Sequence, residues 1–143
     1  MATSFKNRFS DSDPSSEELQ SETDGWIHEI FNATEHIRFL RKFLDADIFT
    51  DSQLNMFEMF EEFKQKLETY RSESVNLNQE IHNHRFDLEG MRECDDISCE
   101  SFYREQHFLL RQKFAAFLTG FKDLQSQIFN YTGGLLITKE SLN

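Results

Sequence analysis

Proline occurs once in this chain and glycine five times. That scarcity leaves few points where a helix must stop, and it argues for helix over sheet. Long apolar runs are missing too. No stretch approaches the ~20 residues a membrane-spanning helix needs, and the first residues are polar rather than signal-like. Lys and Arg number 15 against 26 Asp and Glu, a net charge of −11. Such a balance speaks against binding a nucleic-acid backbone through a basic surface, and against a cationic helix lying on a membrane. Gly-rich phosphate loops are lacking, and no Ser or Cys has a base at motif spacing, so no enzymatic activity is expected. Cysteine is limited to Cys94 and Cys99. Two thiols do not make a zinc site. With no secretion signal, reduced thiols in a cytoplasmic protein are the default, although a bond between these two is sterically allowed.

What remains is dominated by phenylalanine, sixteen residues of it. The apolar residues fall into three stripes. Trp26, Ile30, Ala33, Ile37, Leu40 and Leu44 are spaced four and three apart. So are Phe60, Phe63, Leu67, Tyr70, Ser74, Leu77, Ile81, His84, Leu88 and Met91. The third stripe runs Tyr103, His107, Leu110, Phe114, Phe117, Phe121, Leu124, Ile128, Tyr131 and Leu135. This spacing keeps one face of a helix toward a partner helix. Ile27, Phe31, Phe39 and Phe43 widen the first stripe, as in a helix with two neighbours.

The last two stripes pair antiparallel. Leu67 with Leu124, Leu77 with Phe114, and Ile81 with Leu110 each total 191 in position number. The centre of that hairpin falls between Asp95 and Asp96, inside the polar turn 94–98. Charge agrees with the pairing. Residues 51–100 hold 13 acids and 5 bases, net −8, while residues 101–143 hold 3 acids and 5 bases, net +2.

The predicted fold is therefore all-α: an antiparallel three-helix bundle, coiled-coil-like, with a long projecting hairpin of the second and third helices. Residues 1–22 read as a disordered polar arm, 23–137 as the bundle and 138–143 as a polar tail. Ser15 with Glu18 has capping-box spacing within that arm. Thr50 with Gln53 suggests the start of the second helix, and Phe49 with Leu54 a hydrophobic staple beside it. Ser98 suggests the cap of the third helix, with Ile97 and Phe102 as staple, and Gly133-Gly134 its end. A turn near Asp47 would place Leu40 beside Phe57 and Trp26 near Tyr70.

That placement leaves the hairpin bare beyond Leu77. Ile81, Leu88, Met91, Phe102, Tyr103, Phe108, Leu109 and Leu110 would then form an apolar interface. Self-association follows, most simply as a symmetric dimer. Alternatively the arm covers this region through Leu19, Phe9 and Phe5. Another helical protein is a further candidate partner.

One polar layer interrupts the seam. His84 and His107 total 191 and should face each other, with Glu80 one turn before His84. As a chemical site this would be a transition-metal centre within a bundle. As a structural one it is a polar layer that sets register, and no cofactor is then required.

The stretch Trp26-Ile27-His28-Glu29-Ile30, followed by Phe39-Leu40 and Leu44, resembles the opening helix of a family of small bacterial three-helix proteins. That family reads W-x-x-E-[IL], then E-x-x-F-L-x-x-x-L. Glu35 stands four before Phe39, one residue off its spacing. The resemblance implies the three-helix plan and no activity.

Overall fold

The computed structural model describes residues 13–49 and 54–142. Helix α1 spans Ser16–Leu44 and α2 spans Met56–Asp87. A 3-10 helix, Leu88–Glu93, continues α2, and α3 spans Ile97–Leu142. The protein is an all-α three-helix bundle with a long hairpin of α2 and α3. No helix among the described residues is long and apolar enough to cross a membrane.

The hairpin register is the one the stripes predict. His84 meets His107, Tyr70 meets Phe121, and Phe60 meets Tyr131. Each pair again totals 191. Gly90 falls where the α-helix tightens into 3-10 geometry. Each arm of the helical hairpin also carries one glycine against a tyrosine hydroxyl. A Cβ at Gly120 would crowd the Tyr70 hydroxyl, and one at Gly90 would lie 2.7 Å from that of Tyr103.

Helix α1 corrects the sequence reading in two ways. First, it starts at Ser16 rather than beyond residue 22. The Ser15 side chain accepts a hydrogen bond from the Glu18 amide at 3.1 Å, a cap that satisfies one of the free amides of the first turn. Gly25 stays within the helix, and Leu19 and Thr23 extend the Trp26 stripe by two turns. Second, α1 pairs with α2 in a different register. Glu17 with Arg92, Asp24 with Arg85, Arg41 with Glu68 and Asp45 with Lys64 form ion pairs that all total 109. The expected pairing of Leu40 with Phe57 totals 97, so α1 lies twelve residues, about 18 Å, further along α2.

The physical cause is the connection. The chain turns at Asp47, where the Phe49 amide donates to the Ala46 carbonyl at 3.4 Å, but the connection runs on to Asn55 and the helix pairing is centred there instead. Phe49 packs edge-on against Phe43 and Phe60, and Asn55, with φ of 70°, begins α2 at Met56. Phe49 and Leu54 do not form a staple, since Leu54 is exposed. Thr50 and Gln53 lie outside the described residues, as do Phe5 and Phe9.

With that register the hairpin is not left bare. Leu19 packs with Leu88 and Met91 against Tyr103 at the tip, and the main core runs from Ile81 and Leu110 to Leu135. Ile81, Leu88, Met91 and Leu110 are thus interior residues of one chain, not an interface. At the turn the cap is Asp96, whose carboxylate accepts from the Cys99 amide at 2.8 Å, rather than Ser98. Ile97 and Phe102 are both exposed and form no staple. Cys94 and Cys99 are joined in a disulfide, against the default of free thiols. Gly133 and Gly134 do not end α3, because neither takes a left-handed conformation and the helix continues through them.

Candidate functional site

The polar layer draws one group from each helix. Heptad position brings His84 of α2 against His107 of α3, with His84 Nε2 2.9 Å from His107 Nδ1. The extension of α1 brings Glu22 to the same level. Its Oε1 lies 2.6 Å from His107 Nε2. Arg111, one turn beyond His107, donates to both Glu22 oxygens, from Nε at 2.9 Å and from Nη2 at 2.7 Å. Trp26, one turn beyond Glu22, stacks on the His107 ring with centroids 4.7 Å apart. It also stacks on Phe114 at 5.4 Å. Trp26 is therefore the lid of the histidine layer, not a neighbour of Tyr70.

Protonation follows from the partners. The Arg111 hydrogen bonds hold the Glu22 carboxyl below the ordinary carboxylate range, against the opposing effect of burial. Glu22 is thus ionised and can only accept. His107 donates from Nε2, which leaves Nδ1 of the neutral ring as an acceptor. His84 then donates from its own Nε2. The relay runs Arg111, Glu22, His107, His84 and selects one tautomer for each ring. Burial pushes His84 down to about 4, helped by the neighbouring His107 and opposed by Asp87. Burial also lowers His107, although Glu22 pulls the other way. His107 is 1 % exposed and His84 8 %.

This geometry does not assemble the metal centre that was the alternative to a register-setting polar layer. Both nitrogens of His107 and one of His84 are committed to hydrogen bonds. Glu80 is absent from the layer: it accepts from Lys113 Nζ at 2.6 Å on the exposed side of the hairpin. Among the described residues no group of three or more His, Cys, Asp or Glu is placed to hold a metal ion. The layer works instead as a three-helix clamp in which every buried polar atom has a partner. Glu22 escaped the sequence reading because it lay in the supposed arm. The Ser15–Glu18 cap and the spacing from Leu19 to Trp26 were the signals that could have found it.

Phe102, Phe108 and Leu109 of the predicted interface do remain half exposed or more, at 58 %, 50 % and 52 %. Tyr103 is partly covered by Leu19, Leu88 and Met91. On the side of the hairpin away from α1, a groove runs between α2 and α3 in two segments of about 460 and 690 Å³. His84, Tyr103 and Leu110 line one, and Leu77 and Phe117 the other. Glu80 and Lys113 line both.

In comparisons with known proteins, no family model, no curated protein and no solved structure matches this chain.

Proposed function

We propose that this is a non-enzymatic helical interaction protein, which self-associates through the outward ridge of α3. The observation that carries this reading is the exposure of Phe102, Phe108 and Leu109 close together near the hairpin turn. Covering such side chains is worth roughly 1.5–3 kcal/mol each when burial is complete. A rigid three-helix frame holds them in fixed positions, so little ordering cost remains to be met on association. The His84–His107–Glu22 layer then serves the frame: it fixes the rotation of three helices whose apolar stripes alone tolerate slippage.

Sedimentation velocity over a wide concentration range tests the reading. A mass that rises with concentration, and returns to the monomer in a variant carrying Phe102→Ser, Phe108→Ser and Leu109→Ser, supports it. A monomer at every concentration overturns self-association. Compartment enters here as well. The Cys94–Cys99 bond suits an oxidising compartment better than the cytoplasm the sequence suggested, and thiol trapping in intact cells distinguishes the two.

A further inference from the structure

We propose that the groove between α2 and α3 takes a basic amphipathic helix from a partner protein. This rests on the reading of the chain as an interaction protein, and it names the chemistry of a partner other than itself. The groove is floored by the edges of the core residues Leu77, Leu110 and Phe117, with His84 between them, so most of its accessible apolar surface lies on the α3 rim. Its two rims are unlike. On α2, Glu73, Glu80 and Asp87 stand seven apart, all exposed. On α3, Phe102, Leu109 and Ala116 stand seven apart, also exposed. A spacing of seven places each set in one row along its helix. From Glu73 to Asp87 the row is about 21 Å long, four turns of a docked helix.

The opposite flank of α2 shows what such a row does. There the cations Lys64, Arg85 and Arg92 repeat at multiples of seven, and each meets a carboxylate of α1 or its cap: Asp45, Asp24 and Glu17. Apart from Arg41 with Glu68, helix α1 sets acids against bases of α2 and its 3-10 extension. The groove side carries the reverse sign. Its acids Glu73 and Asp87 have no ion pair among the described residues, and Glu80 has only Lys113. Lys66, one heptad before Glu73, ends the acidic row and is paired with Glu62. A second copy of this chain can cover Phe102 and Leu109 in self-association, but at a net charge of −11 it is a poor source of the cations that the row of Glu73, Glu80 and Asp87 calls for. A helix with Lys or Arg seven apart on one flank, an apolar seam, and apolar residues on the other flank satisfies floor and both rims together. Such a helix also competes with Lys113 for Glu80, an exposed pair that costs little to open.

The test uses the full chain and two synthetic fluorescent helices. Both have leucine along the seam; one has lysine and the other glutamate at the flanking positions. Fluorescence anisotropy should show the lysine helix binding at least about tenfold more tightly than the glutamate helix. The double substitution Glu73→Lys with Asp87→Lys should reverse that preference. Leu109→Glu should weaken the lysine helix by about tenfold or more. All three positions are exposed, and circular dichroism confirms that the variants keep their helicity. Equal binding of the two helices overturns the inference. So does binding that ignores Leu109→Glu, because the site would then lie elsewhere. A chain that self-associates but binds neither helix overturns this inference and leaves the interaction reading intact.

Discussion

At the scale of single residues, the buried imidazoles make stability depend on pH. His84 is held at about 4 from an ordinary 6.5, and His107 is lowered as well. The unfolded chain therefore takes up protons before the folded one does. Both histidines contribute their full share above pH 6.5, and that share is lost as pH falls from there toward 4. The loss should be on the order of 2 kcal/mol in urea unfolding between neutral pH and pH 4.5. A His84→Gln variant should lose much of that dependence. Trp26 is the one tryptophan and stacks on His107, so its emission reports the same titration directly. Equal stability at both pH values would show that the rings are not buried neutral. The facing of His84 and His107 was legible in the sequence because both sit in seam positions of helices joined by a short turn. The third member, Glu22, was not. Its place depends on where a different helix begins and how far it slides.

At the scale of elements, the reach of α1 and the turn between α2 and α3 each lead to a measurable result. Leu19 belongs to the tip cluster with Leu88 and Met91. If α1 reaches the tip, Leu19→Ala should cost about 2–5 kcal/mol, the range for truncating a buried leucine. A cost near zero would mean the hairpin tip is uncovered, as the first register had it. The disulfide closes a short loop between the 3-10 helix and α3. Replacing both cysteines with serine should lower stability by about 2 kcal/mol in the chain-entropy view, with helicity unchanged. An unchanged unfolding midpoint in the presence of reductant would show that the bond is not formed in solution. The helices themselves were legible at this scale. Their ends were less so, because Ser98 and Gly133-Gly134 are common boundary residues that this chain does not use as such. Asp96 caps α3, and the two glycines are carried inside it because their neighbours on both sides continue the helix.

At the scale of the whole molecule, charge separates the two kinds of association proposed. Copies that each carry −11 repel one another. Added salt screens that repulsion, so self-association should strengthen between low and moderate ionic strength. Binding of a lysine-flanked helix to the Glu73, Glu80, Asp87 row should weaken over the same range. Light scattering and anisotropy in the same salt series measure the two. The same sign for both would mean that one of the surfaces has been misassigned. The sequence by itself determined that the protein is all helix, that the apolar stripes form three faces, and that α2 and α3 pair in one register. A short polar turn leaves two heptad stripes only one way to align. The tertiary structure alone decided how α1 lies. The chain between Leu44 and Met56 is long enough to permit several offsets, and a stripe states which face is buried but not how far along its partner it sits. The row of ion pairs from Glu17 to Lys64 and the stacking of Trp26 on His107 select one offset. That choice covers the hairpin tip, completes the histidine layer, and leaves the acidic groove as the open face.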